Sequence, residues 1–360
     1  MALTGLALAT GGLVATPGPV GAAATDSDTL VFVPFRGQTF GVVRNGVTTF
    51  PAYFGGGDYR GGEPFVGDFT GSAGTDVFVY RPGPDPDGIV KITPSGTTVT
   101  TSLISKTVNG TFRPLVGDFD GNAISDILWY APGSSPDALW LFNSNGTHTN
   151  VPLAISGSYV PTVFEANGDG YDDIIWYAPG GGADSLWLFG PGAGHTTKAL
   201  SISGSYQLLQ GYFGEAGEGS PQKRLLFFNP SGPDSIWTFD TAANHTSAAL
   251  PNIDGAYIPV VGHFIEGDNI LWYRPGSASE ALWGFTEEGS LNQLEAPPVN
   301  GSYDPTVGDF DGNGYEDIAW TASGNATIWQ FNSGGFTQSS VTTGLPNTNA
   351  VTAYTDPFDL

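Results

Sequence analysis

"ILWYAPG" fills residues 127–133, and nearly the same seven residues return as "IIWYAPG" at 174–180 and "ILWYRPG" at 270–276. Looser copies are "LVFVPFRG" at 30–37, "VFVYRPG" at 77–83, "LLFFNPSG" at 225–232 and "IAWTASG" at 318–324, spaced by about 48 residues. Working outward from each copy, a second apolar run follows: "ALWLF" at 138–142, "SLWLF" at 185–189, "SIWTF" at 235–239, "ALWGF" at 281–285 and "TIWQF" at 327–331. An earlier run precedes it, as in "SYVPTVFEA" at 158–166 or "SYDPTVGDF" at 302–310, and a more polar, Thr-rich run closes the unit, as in "HTNVPLAIS" at 148–156. The runs are short, rich in aromatic and β-branched residues, and separated by Gly, Pro, Asn and Ser, so each reads as a strand.

Four strands in a repeat of about 48 residues is the arithmetic of a β-propeller blade. The expected fold is therefore all-β: a seven-bladed β-propeller with four antiparallel strands per blade. The chain after residue 24 starts midway through a repeat, whereas Phe358 and Asp359 lie one repeat beyond Phe310 and Asp311. The C-terminal segment is thus expected to supply the missing strand of the N-terminal blade, closing the ring without a free edge. Residues 25–360 form one domain on this reading.

Composition narrows the function. The net charge is -24 with only 11 Lys+Arg, which disfavours nucleic acid and anionic membrane surfaces as partners. There is no Cys, so disulfide and thiol chemistry are excluded. Residues 1–24 carry no charged side chain, have an apolar stretch from Ala2 to Val14, and end in Ala22-Ala23-Ala24. This pattern reads as a signal peptide lacking its basic start, and implies secretion. The stretch is too short and too rich in Gly and Pro to span a membrane, and no later one is long enough.

"DFDGNGYED" at 309–317 is the chemically loaded segment. Asp309, Asp311, Asn313 and Asp317 stand at positions 1, 3, 5 and 9, the carbonyl of Tyr315 falls at position 7, and Gly314 permits the turn. Hard oxygen donors at alternating positions suit Ca²⁺, which takes six to eight oxygens at about 2.3–2.6 Å. The pattern returns as Asp118, Asp120, Asn122, the Ile124 carbonyl and Asp126, with Ala123 where Gly is preferred. A third version offers Glu165, Asn167, Asp169, the Tyr171 carbonyl and Asp173. A fourth keeps only Asp68 and Asp76, with Thr70 and Ser72 between, and the units at Tyr212 and His263 have lost the ligands. The plain alternative is an acidic Gly/Asn turn that holds no metal.

With these loops and this spacing, the chain resembles the FG-GAP/VCBS repeat family, including the calcium-binding blades of integrin α-subunit propellers. The resemblance implies two to three structural Ca²⁺ ions in loops between strands. It also implies a binding or adhesion module, since related seven-bladed lectins hold sugars in pockets between blades.

Other groups were weighed against catalysis. Asp309 and Asp317 as an acid–base pair would recur as Asp118 and Asp126 on another blade, which an active site has no need to do. His148, His195 and His245 occupy one repeat column, so they sit on successive blades and cannot converge on one metal; an exposed outer-strand position explains them. His263 takes the first ligand position of its loop. The nine Trp residues fall in two columns. Packing between blades accounts for both, while Trp129, Trp176, Trp272 and Trp320, with Tyr159, Tyr206, Tyr257 and Tyr303, are candidate sugar contacts. Asp87, Asp137, Asp184, Asp234 and Glu280 form an acidic column before the third strand, expected to serve a turn.

The expectation is a secreted, calcium-binding, non-catalytic module for glycans or an extracellular surface. One alternative is a polysaccharide hydrolase or lyase with a site in the central channel, for which "EAGEGSPQKR" at 215–224 is the one unrepeated polar stretch. The other is a scaffold for a single protein partner.

Overall fold

The computed structural model describes residues 62–342, apart from 73–75, 96–97, 134–135, 215–223, 266, 277–279, 287–289, 297, 323–324 and 334, together with strand segments 29–34, 41–44, 47–49 and 348–353. The leader-like segment 1–24, the divergent stretch 215–223, and Phe358 and Asp359 lie outside the described residues.

Six four-stranded antiparallel sheets follow one another along the chain, each made of four consecutive strands. Blade one contains Glu63–Gly67, Asp76–Tyr80, Asp87–Ser95 and Thr98–Lys106. The innermost strands of blades two to six are Arg113–Gly117, Val160–Phe164, Gln207–Gly211, Ile258–Gly262 and Asp304–Gly308. The innermost strands of blades one and two, two and three, four and five, and five and six are neighbours in space, as a radial arrangement of sheets requires.

The expected seven-bladed propeller is corrected here: the blades built of four consecutive strands number six, not seven. The remaining sheet is composite. Its order is Thr348–Ala353, Thr29–Pro34, Gly41–Arg44 and Val47–Thr49, joining the two ends of the chain. Thr29 pairs with Ala353 and Pro34 with Thr348, and the Thr348–Ala353 strand adjoins the innermost strands of blades one and six. Its outer strands have only four and three residues, so it lacks the long outer hairpin of Asp87–Ser95 with Thr98–Lys106. The repeat count in the sequence registers an apolar run at 30–37 without registering how short the strands after it are.

Burial follows the position of each strand in its blade. The second strands of blades one to five are buried at every residue. Both of their faces are covered by neighbouring blades, which is why they read as continuous apolar runs and not as an alternation. Fourth strands such as His245–Leu250 are mostly exposed, hence their polar, Thr-rich character. The hydrophobic clusters straddle seams. Phe65, Phe78 and Tyr80 of blade one pack with Ile127, Trp129 and Trp140 of blade two.

Both Trp columns belong to this packing. In blades two, three, five and six the two indoles meet edge to face: Trp129 with Trp140 at 5.3 Å, Trp176 with Trp187 at 5.1 Å, Trp272 with Trp283 at 5.1 Å and Trp320 with Trp329 at 5.2 Å. Such T-shaped pairs contribute about 0.5–1.5 kcal/mol beyond area burial. The indole N–H groups of Trp129, Trp176, Trp272 and Trp320 have no oxygen or nitrogen acceptor.

Two repeated polar clamps hold the blades in register. In the acidic column, the Asp137 carboxylate accepts the Ala131 N–H at 2.8 Å and the Ile155 N–H at 2.7 Å. Asp87, Asp184 and Asp234 each accept the equivalent pair, and Glu280 accepts the Val299 N–H. This column therefore serves the turn, as the sequence suggests. The second clamp is a buried Tyr. The Tyr130 hydroxyl donates to the Gly157 carbonyl and accepts the Tyr159 N–H, and Tyr80, Tyr177 and Tyr273 repeat the arrangement. Gly157 has φ 127°, and a Cβ there would lie 2.8 Å from the Tyr159 ring, so the seam requires glycine.

Candidate metal loops and inter-blade seams

The acidic loops join the first and second strands of their blades. In blade six the Asp309 carboxylate accepts three backbone N–H groups: Gly312 at 2.8 Å, Asn313 at 3.1 Å and Gly314 at 2.8 Å. Asn313 donates its side-chain N–H to the Phe331 carbonyl at 2.7 Å and accepts the Tyr315 N–H. Gly314 has φ 87°, which supplies the left-handed turn. These bonds wrap the loop around its own carboxylates.

Blade two repeats the geometry residue by residue. Asp118 accepts the N–H groups of Gly121, Asn122 and Ala123, and Asn122 donates to the Phe142 carbonyl at 3.0 Å. Ala123 adopts φ 62°, the left-handed conformation that Gly314 takes at no cost.

Position 9 does a different job. Asp317 is fully buried and accepts the Phe310 and Phe331 N–H groups, both at 2.9 Å, tying the loop to the third strand. Asp126 holds Phe119 and Phe142 in the same way, and Asp173 holds Ala166 and Phe189. Burial is the largest influence on all three and pushes each up to about 8, against the pull of these backbone donors.

Two loops converge their carboxylates. Asp118, Asp120 and Asp126, and likewise Asp309, Asp311 and Asp317, each bring one ligand oxygen within 4.8 Å of the others. Burial raises Asp120 and Asp309, and the neighbouring Asp118 and Asp311 respectively push them further. Three hard carboxyl oxygens in a half-buried turn, with side-chain amide and backbone carbonyl oxygens nearby in the sequence, form a donor set that fits Ca²⁺. The Glu165 loop does not bring three carboxylates together in this way. The longer Glu165 side chain accepts the Asn167, Gly168 and Gly170 N–H groups, while the Asn167 side-chain amide donates to Asp169 at 2.9 Å.

The sequence reading missed position 8. The Asp172 carboxylate accepts the Asp118 N–H of the preceding blade at 2.8 Å, and the Asp172 N–H donates to the Asp118 carbonyl at 2.9 Å. Glu316 does the same to His263, and the hydroxyl of Ser125 with its backbone N–H does so to Asp68. Asp268 accepts the Tyr212 N–H. The signal was a polar residue just before each position 9, masked because Ser, Asp and Glu alternate there. Through Asp172, the Asp118 loop of blade two is coupled to blade three.

The remaining candidates are placed as follows. Trp129, Trp176, Trp272 and Trp320 are buried in the seams, whereas Tyr159, Tyr206, Tyr257 and Tyr303 are half-buried at their rims. Tyr159 lies 5.8 Å from Trp176 and Tyr303 lies 6.3 Å from Trp320, both edge to face. His148, His195 and His245 stack on Trp140, Trp187 and Trp237 at 3.8, 3.9 and 3.7 Å, so their column is a packing feature of the outer strands.

Residues 302–341, which hold the Asp309 loop, match the family model described as FG-GAP repeat. Blade six carries an FG-GAP repeat. Together with the propeller architecture, this match is consistent with the FG-GAP/VCBS β-propeller family. No curated protein matches the chain. Among solved structures, a protein from Lactobacillus plantarum aligns with TM-score 0.62 and 12% identity over 91% of this chain and 99% of its own. A candidate 6-phosphogluconolactonase from Bacteroides fragilis aligns with TM-score 0.59 and 9% identity, covering 92% and 97%. A hypothetical selenium-binding protein from Sulfolobus tokodaii aligns with TM-score 0.51 and 10% identity, covering 94% and 96%. At such identities the likeness is one of fold. Among the described residues no helix is long and apolar enough to cross a membrane.

Proposed function

We propose that this propeller is a secreted, non-catalytic binding module braced by Ca²⁺, and that its ligand is a glycan or another extracellular surface. The observation that carries the reading is the convergence of three carboxylates in the FG-GAP loop of blade six and again in blade two. Asp309, Asp311, Asn313, the Tyr315 carbonyl and Asp317 would hold one ion, and Asp118, Asp120, Asn122, the Ile124 carbonyl and Asp126 another. The ion would supply positive charge to a loop whose own carboxylates repel one another. The Glu165 loop, with Asn167, Asp169, Tyr171 and Asp173, would bind more weakly.

Ligand contact falls to the seams on the opposite side of the blades. The loops between second and third strands and the connections between blades meet there, built from Gly, Ser, Pro and Tyr. Half-buried phenol rings beside backbone carbonyls suit the apolar faces and hydroxyls of sugars. Equivalent seams make several similar weak contacts, and avidity then exceeds any one affinity.

The first test is thermal unfolding of residues 25–360 in EDTA, then with Ca²⁺ or Mg²⁺ added. A Ca²⁺-selective rise in Tm is expected; no shift with either ion would remove the metal from the proposal. The second is a glycan array in Ca²⁺, with Tyr206→Ala as the paired control. Binding to no sugar overturns the glycan reading, and a single stoichiometric protein captured without sugar dependence would replace it with a scaffold.

A further inference from the structure

The seam between blades four and five departs from its relatives in three ways. First, it lacks the hydroxyl clamp. The seams that join blades one and two, two and three, three and four, and five and six each have a Tyr hydroxyl bridging the connecting turn. Blade four has Phe228 at that place, in the register that Tyr177 takes in blade three. The Tyr257 N–H turns instead to the Gly255 carbonyl at 3.2 Å. Second, the turn is looser. A Cβ on Gly255 would stand 3.4 Å from the Tyr257 ring, against 2.5–2.8 Å from Phe112, Tyr159, Tyr206 and Tyr303 at the matching glycines.

Third, the rim carries a cation. The Arg274 guanidinium lies 5.8 Å from the centre of the Tyr257 ring, and Arg274 is exposed. The strand register puts Ala131, Ala178, Asn229 and Ala322 at this place in blades two, three, four and six. Blade one has Arg81 there, but Asp85, four residues on, pairs with it at 3.1 Å. Four residues after Arg274 the sequence has Ala278. Among the described residues, no ion pair or hydrogen bond engages the Arg274 guanidinium.

A guanidinium stacked on a phenol ring is held in place with N–H edges free to meet a carboxylate in a planar fork. The Arg81–Asp85 pair shows that contact made within the chain. The net charge of -24 repels anions, but at physiological salt its field decays over about 8 Å, so the local contact decides.

We propose that the seam between blades four and five selects a carboxylate-bearing sugar: Arg274, backed by Tyr257, takes the carboxylate, and the looser turn at Gly255 admits the sugar ring beside it. This inference rests on the glycan reading above and makes the seams unequal, with one of them setting specificity.

The test begins with an array of neutral and carboxylate-bearing glycans. Calorimetry then compares the tightest acidic glycan with its methyl ester, which keeps the ring and its hydroxyls but removes the charge. Acidic glycans are expected to bind best. Arg274→Gln and the methyl ester should each lower affinity about 10–100-fold, Arg274→Lys should retain part of it, and Arg81→Gln should match the parent. Because Arg274 is exposed, the Tm of Arg274→Gln should equal that of the parent, which separates a lost contact from a lost fold. Phe228→Tyr, which restores the clamp, should raise Tm and weaken acidic binding; unchanged binding would overturn the role given to the loose turn. Binding to neutral glycans alone, or an acidic glycan held equally well by Arg274→Gln, overturns this inference and leaves the glycan reading standing. Binding to no sugar removes both.

Discussion

The loops of blades five and six close the same turn with different chemistry. In blade six, Asp317 clamps Phe310 and Phe331 under a further two carboxylates, Asp309 and Asp311. In blade five, Asn269 stands where Asp317 does, its side-chain oxygen accepts the Phe264 and Ile265 N–H groups, and His263 replaces the first acid. A neutral amide therefore suffices to hold this turn, and both blades keep the position-8 clamp through Asp268 and Glu316. The comparison teaches that the fold asks for one acceptor here, so the extra carboxylates of blades two and six need a separate reason. The Ca²⁺ proposed above would supply one.

The strongest way to break the comparison is to remove the clamp itself. Asp317→Ala and Asn269→Ala each leave buried N–H groups unpaired and should cost about 2–4 kcal/mol. Denaturant unfolding in EDTA should show similar losses for both, whereas only Asp317→Ala should also abolish part of the Ca²⁺ response. If Asn269→Ala is silent, the shared role of position 9 is wrong.

The pH dependence sharpens the same contrast. Asp126, Asp173 and Asp317 have native values near 8, well above the 3.8 of an unperturbed Asp. The native state then binds more protons than the unfolded state between about pH 4 and pH 8, so stability falls as pH rises through that window. In EDTA, Tm should be higher at pH 5 than at pH 8. Added Ca²⁺, which favours the ionised carboxylates of its own loops, should raise Tm more at pH 8 than at pH 5. An equal Ca²⁺ effect at both pH values would count against carboxylate ligation.

Asp311→Ala isolates the metal from the fold. Asp311 is exposed and is not part of the clamp, so its loss should change stability in EDTA by less than about 0.5 kcal/mol while removing one equivalent of Ca²⁺ in a calorimetric titration. The smallest effect concerns blade two, where Ala123 sits at φ 62° in the place of Gly314. Ala123→Gly should stabilise the protein by up to about 1 kcal/mol and tighten Ca²⁺ there toward the blade-six value, read as converging titration steps.

The strand pattern and the acidic loops were legible in the sequence because both are local. Strand periodicity, turn residues and donors at alternating positions need only a few consecutive residues to be recognised. The tertiary structure decided what depends on residues far apart. It set the count of full blades, because strand length and pairing, not motif recurrence, make a blade. It separated the loops that converge three carboxylates from the Glu165 loop, where one added methylene and an Asn–Asp exchange redirect the hydrogen bonds. It showed that Trp129, Trp176, Trp272 and Trp320 are buried. It also revealed the position-8 stitch from Asp172 to Asp118, whose partners lie 54 residues apart. By itself the sequence determined the repeat, the strands and the charge each loop must balance; the assembled ring decided which neighbour balances it, since burial and cross-blade contact exist only once the blades have packed.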